Sequence, residues 1–377
     1  MVFLFFIIWR LVDLTVSFLA PKVIPYFGLF AHPETLLSFK LPKIIYAFAN
    51  FDGVYYLKIA KDGYQQYEQA FFPLYPLLIR FFSVFFKNYL LAGLFISNLS
   101  FFLGLIIFLK YLKLVSTNFN QLQPILTILF LLLFPTSFFF GAVYTEGFFF
   151  LLVVSTFYFL AKKNYGWAGF TAFLAGLTRI NGVLLIIPFF LELIKNFKKN
   201  KDLWLLGFVL TTPLLGLLTY MRFLLKTTGD ALAFFHVQTV FGEGRTTKLI
   251  LLPQVFYRYF KILFTAQPNF QYFISFFELT TFSFVFIILI FDLMKNIKLK
   301  IKNLSVISLN LFSLANILLP TFTGSFLSIP RFSLLSLSFF IFLGSIKNSS
   351  IKLGLMIIFF ILHLLFLSFF LQGYFIS

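Results

Sequence analysis

The chain has 377 residues, of which 60% are hydrophobic and 11% charged, and its mean hydropathy is +0.98. Soluble globular domains carry about a quarter charged residues, so these values exclude that class and point to an integral membrane protein. The formal charge of +18 sits in short lysine clusters between apolar segments, as in loops beside anionic head groups and not as in a nucleic-acid-binding face; the absence of cysteine excludes disulfides, thiolate metal sites and cysteine nucleophiles.

A membrane helix needs roughly 20 apolar residues. On that measure the sequence predicts helices over 3–20, 89–112, 122–140, 146–161, 166–178, 182–194, 203–225, 273–294, 304–320, 331–346 and 351–374. Arg10 and Asp13 interrupt the first of these, which lacks both the basic start and the small-residue cleavage site of a signal peptide and reads as a first span. Residues 72–87 and 250–265 read either as further spans or as helices lying at the interface. The expected fold is all-α, a polytopic bundle of about eleven helices in one domain over 1–377.

Lys110 and Lys113, Lys162 and Lys163, Lys195, Lys198, Lys199 and Lys201, Lys295, Lys298, Lys300 and Lys302, then Lys347 and Lys352 fall in every second connection. The positive-inside rule assigns these connections to the cytoplasm. Residues 21–88, 141–146, 178–182, 226–272 and 321–331 then face the other side, with 21–88 and 226–272 as the long extracytoplasmic loops. These connections are rich in Asp, Glu, His, Gln, Tyr and single Arg residues.

Asp52, in Asn50-Phe51-Asp52-Gly53, is one of only 12 acids in the chain. A carboxylate at the bilayer edge suits a general base, provided it reaches the hydroxyl it deprotonates; the other reading is a helix N-cap. Asp62-Gly63-Tyr64 reads as a helix end and turn. Phe72-Pro73-Leu74-Tyr75-Pro76 is a rigid corner whose two prolines fix the backbone where it re-enters the membrane, a structural role, with Tyr75 as a candidate substrate contact. Glu146, in an otherwise apolar context, is either a site carboxylate facing a wet cavity or a first-turn acid favoured by the helix dipole.

Leu177-Thr178-Arg179-Ile180-Asn181-Gly182 brings a guanidinium fork suited to phosphate or carboxylate and an amide suited to a sugar hydroxyl. Arg331, in Ser328-Ile329-Pro330-Arg331-Phe332, offers the same choice between an anion site and a snorkelling arginine. His236 and Gln238 stand in the late loop as candidates for a phosphate or sugar oxygen. Gly242-Glu243-Gly244-Arg245 reads as a turn, and His32, His236 and His363 lack metal-ligand spacing.

Phe51-Asp52-Gly53-Val54-Tyr55-Tyr56-Leu57-Lys58-Ile59-Ala60, Phe71-Phe72-Pro73-Leu74-Tyr75-Pro76, Phe134-Pro135-Thr136-Ser137, Tyr144-Thr145-Glu146, Leu177-Thr178-Arg179 and Pro330-Arg331-Phe332 resemble, in this order, the PIG-V-like mannosyltransferases of the GT-C class. The resemblance covers about residues 46–335. It departs at Asn50-Phe51, where the family often has Trp or Arg before the aspartate.

The resemblance implies transfer of a sugar, mannose in relatives, from a polyprenyl- or dolichyl-phosphate donor to a lipid-linked or glycan acceptor at the extracytoplasmic face. The absence of a retention signal and of long lumenal insertions suits a bacterial member acting in the cell envelope. In that scheme Asp52 is the base of an inverting transfer and Glu146 assists it or orients the acceptor. Arg179 and Arg331, with His236, meet the leaving phosphate. The cationic side chains take the place of a metal, so neither metal nor cofactor is expected. The rival reading is a transporter or flippase of a lipid-linked glycan, against which stand the lack of an internal repeat and the gathering of polar residues at one face.

Overall fold

The computed structural model describes residues 1–115, 122–197, 203–241, 246, 248–298 and 304–376. Lys198, Lys199, Lys201, Lys300, Lys302 and the Gly242–Arg245 turn lie outside the described residues. Among the described residues the regular structure is entirely helical. The protein is a polytopic helical membrane protein.

Among the described residues seven helices are long and apolar enough to cross a bilayer: Val2–Val23, Tyr89–Val115, Ile180–Phe197, Leu203–Thr228, Phe270–Lys298, Leu304–Thr321 and Ser349–Leu371. The other expected spans are present but short. Gln123–Leu133, Glu146–Ala161, Tyr165–Thr178 and Leu337–Ser345 have 11, 16, 14 and 9 residues. At 1.5 Å per residue the last extends only about 14 Å, less than half of a bilayer core. Leu74–Phe86 and Leu252–Thr265, left open between span and interfacial helix, are helices of 13 and 14 residues.

Two of the expected helices are broken, the first by a proline and the second at the 3₁₀ turn Ser333–Leu335. The helix expected over 122–140 stops at Leu133, because Pro135 brings no N–H and forces Phe134 out of the helical region to φ −58°, ψ 140°. The chain resumes as a 3₁₀ turn over Ser137–Phe140. Likewise the helix expected over 331–346 starts only at Leu337, and Arg331 lies before it in the single turn Ile329–Phe332, with Pro330 in its first positions.

The bundle is closed by small residues and by buried polar contacts. A Cβ on Gly176 would meet the Pro213 carbonyl oxygen at 2.3 Å, and one on Gly216 the Phe173 carbonyl at 2.3 Å, so the Tyr165–Thr178 and Leu203–Thr228 helices approach backbone to backbone. Asp13, buried in the first helix, lies 3.3 Å from the Arg10 guanidinium and 2.9 Å from His363 Nε2 on the Ser349–Leu371 helix. The His363 Nδ1 is 3.1 Å from Ser137 Oγ, to which Trp9 Nε1 donates. The charges that interrupt the first segment thus tie it to the last helix and to the turn after Pro135.

Candidate functional site

Distant chain segments converge on one cavity of about 170 Å³ lined by Asp52, Glu146, Arg179 and Arg331 together with Tyr56, Tyr144, Thr145, Asn181, Gln238, Phe332 and Phe375. It lies at the helix ends remote from the Lys162–Lys163 connection, for Glu146 opens the helix that runs to Ala161 and Arg179 follows the helix that returns from Tyr165.

Asp52 is the first residue of the Asp52–Asp62 helix and takes part in no side-chain cap; the preceding residue, Phe51, holds φ +59°, ψ −116°. Such a backbone is costly for a bulky residue and persists only where packing fixes it. Here the Phe51 ring packs on Phe30, Phe370 and Phe375, while Asn50 Nδ2 donates to the Phe370 carbonyl at 2.9 Å. Tyr144 Oη donates to the Asn50 carbonyl at 2.9 Å. Burial, then the nearby Asp52 charge, pushes the Tyr144 phenol well above its usual pKa, so it stays a donor. At the far end Gly63, at φ +86°, closes the helix as the Asp62-Gly63 signal leads one to expect.

Glu146 also begins a helix, where the dipole favours an acid. Its carboxylate is buried between two guanidiniums: Arg179 Nη1 donates to Oε1, and Arg331 Nε lies 3.4 Å from the same oxygen. Arg331 Nη1 donates to Asp52 Oδ2 at 2.6 Å. The plane of Arg331 sits over Phe139 and Tyr144, and that of Arg179 over Phe149 and Phe332. Burial opposes the charge on Arg331, but Asp52 and Glu146 outweigh it and raise its pKa above the ordinary guanidinium value. The snorkelling reading of both arginines does not apply, since each points into the protein and pairs with a carboxylate.

Asn181 Nδ2 donates to Asn316 Oδ1 at 2.8 Å, and Asn316 Nδ2 donates to the Phe332 carbonyl at 2.8 Å. Asn316 therefore links Asn181 in the pocket wall to the residue after Arg331. Gln238 lines the cavity, whereas its neighbour His236 does not. His236 is exposed, its Nδ1 2.6 Å from Asp230 Oδ2, and that hydrogen bond holds the Asp230 carboxyl below its usual range. Tyr75 is also outside the cavity: it is fully buried, with Oη 2.7 Å from Ser97 Oγ and donating to the Gly93 carbonyl at 3.2 Å. The start of the corner instead lends Phe72, with Phe71 just before it, to the pocket.

A second, larger cavity of about 480 Å³ adjoins the first and shares Ile180, Asn181, Phe234, Gln238 and Phe332 with it. Its remaining lining is mostly apolar, with Leu232, Leu249, Leu319 and Phe322, and Lys248 is the one charged residue among the described residues that line it. Nothing in the amino-acid pattern marks this cavity, because apolar residues in a membrane chain look the same whether they face lipid or a groove. Tyr144 and Thr145 stand in the sequence only as neighbours of Glu146, and Asn316 lies within an expected apolar span. A buried asparagine inside an apolar helix is the signal that marks Asn316.

A family model described as Mannosyltransferase (PIG-V) matches residues 1–201, more than half of the chain, and takes in Asp52, Glu146 and Arg179. Arg331, Asn316 and Gln238 lie beyond the matched stretch. No curated protein matches the sequence.

Proposed function

The chain belongs to the mannosyltransferase (PIG-V) family, and from that premise we propose that it moves mannose from a polyprenyl-phosphate donor to a hydroxyl of a lipid-linked or glycan acceptor at the extracytoplasmic face, with inversion. The observation that carries the reading is the adjacency of a charged cavity, with two guanidiniums and two carboxylates, to an apolar one. A donor with an anionic head and an isoprenoid tail matches that pair of environments: the phosphate beside Arg179 and Arg331, the first isoprene units along Leu319, Phe322 and Leu249.

In this mechanism the acceptor oxygen attacks the anomeric carbon as the bond from that carbon to the phosphate oxygen breaks. The bonding electron pair leaves with the lipid phosphate, whose growing charge Arg179 and Arg331 stabilise. The acceptor proton goes to the Asp52 carboxylate. Asp52 is the more accessible of the two acids, with 28% of its side chain exposed against 1% for Glu146. Glu146 is best suited to hold both arginines in register, and Asn181 and Gln238 to meet sugar hydroxyls. The lysine clusters at the opposite helix ends support the assignment of the pocket to the extracytoplasmic side.

Purified protein in liposomes, given radiolabelled polyprenyl-phosphate mannose and envelope lipids, is expected to place label in a new lipid or glycan product. Passage of intact donor across the bilayer with no product formed overturns the reading in favour of a transporter.

A further inference from the structure

Arg331 hangs from a turn whose backbone leaves ordinary geometry twice, at Gly324 with φ +93° and at Ser328 with φ +68°. Serine does not adopt the left-handed region without support. The support comes from outside the cavity. Glu278, only 2% exposed on the Phe270–Lys298 helix, accepts the Ser328 N–H at 3.3 Å through Oε1 and the Tyr259 hydroxyl at 2.6 Å through Oε2. Tyr259 Oη in turn accepts the Phe326 N–H at 3.1 Å. On the other flank Thr136 Oγ1 donates to the Pro330 carbonyl at 2.8 Å. A carboxylate buried in a membrane helix is costly to keep, and only a carboxylate offers two acceptor oxygens in these two directions.

We propose that Glu278 is a positioning residue for Arg331: it fixes the turn that sets the guanidinium between Asp52 and Glu146, without itself touching substrate. The inference rests on the reading that Arg331 meets the donor phosphate. A displacement of that fork by about 1 Å is expected to cost on the order of 10²-fold in transfer. Loss of this order in kcat/KM for radiolabelled polyprenyl-phosphate mannose is expected for Glu278→Leu, and a loss of only a few-fold for Glu278→Gln, which keeps one acceptor for Ser328. Tyr259→Phe, which keeps the ring and removes the hydroxyl, is expected to lower kcat/KM while the thermal unfolding temperature in detergent stays within a few degrees of the parent.

The deciding measurement is the double variant. If Glu278 works through Arg331, adding Glu278→Leu to Arg331→Gln costs nothing further in donor affinity or transfer. Equal losses in both backgrounds overturn the inference and leave Glu278 a general stabiliser. So does a normal Glu278→Leu beside an impaired Arg331→Gln. An unimpaired Arg331→Gln overturns the phosphate role of Arg331 and this inference with it.

Discussion

Asp52 and Arg331 are 279 positions apart in the chain, and their side chains meet at 2.6 Å. The pairing joins the first polar loop to the turn before Leu337–Ser345, and it places the proposed base on the same cation that the donor phosphate would claim. In the proposed mechanism a donor phosphate at Arg331 competes with Asp52 for the guanidinium N–H groups, so that donor binding releases the proposed base from its partner.

Ordered addition follows from that competition. Donor is expected to bind the resting protein, and acceptor is expected to react productively only with the donor complex. Initial-rate and product-inhibition patterns test this; random-order kinetics argue against release of Asp52 by donor. Asp52→Asn, which keeps the shape but not the basicity, is expected to lower transfer by about 10²–10⁴-fold with donor affinity retained.

Glu146 is the shared anion of Arg179 and Arg331, and its neutralisation leaves two guanidiniums in the cavity with Asp52 alone. Loss of one partner of a buried pair costs about 3–5 kcal/mol. Glu146→Gln is therefore expected to unfold at a distinctly lower temperature in detergent than Asp52→Asn, whose carboxylate is the more exposed. Equal unfolding temperatures for the two variants contradict this division of roles.

The apolar cavity is expected to set the chain-length preference for the donor. Leu319→Trp, which fills part of its wall, is predicted to raise the KM for long polyprenyl-phosphate mannose several-fold while a donor with one or two isoprene units is little affected. A uniform effect on short and long donors indicates that the tail lies elsewhere.

His236 is exposed and paired with Asp230 outside the cavity. His236→Ala is accordingly expected to leave transfer within about two-fold of the parent, as surface substitutions away from a site usually do. A large loss means that the late loop folds over the pocket when substrate binds.

The amino-acid sequence by itself determined the membrane class, the positions of nearly all the helices and the four charged residues of the pocket. It could do so because a charge in an apolar chain is expensive, and Asp52, Glu146, Arg179 and Arg331 stand out as exceptions that something must compensate. Tertiary structure alone decided which charges pair, that Tyr75 and His236 stay outside the cavity, and that Glu278 braces the Arg331 turn. It also decided that the segment before Leu337 does not join that helix, for the turn Ile329–Phe332 and the 3₁₀ turn Ser333–Leu335 interrupt a run that apolar composition reads as continuous. Local hydrophobicity reports the cost of placing a residue in the membrane. The partner that offsets this cost comes from a distant segment and is fixed only by packing.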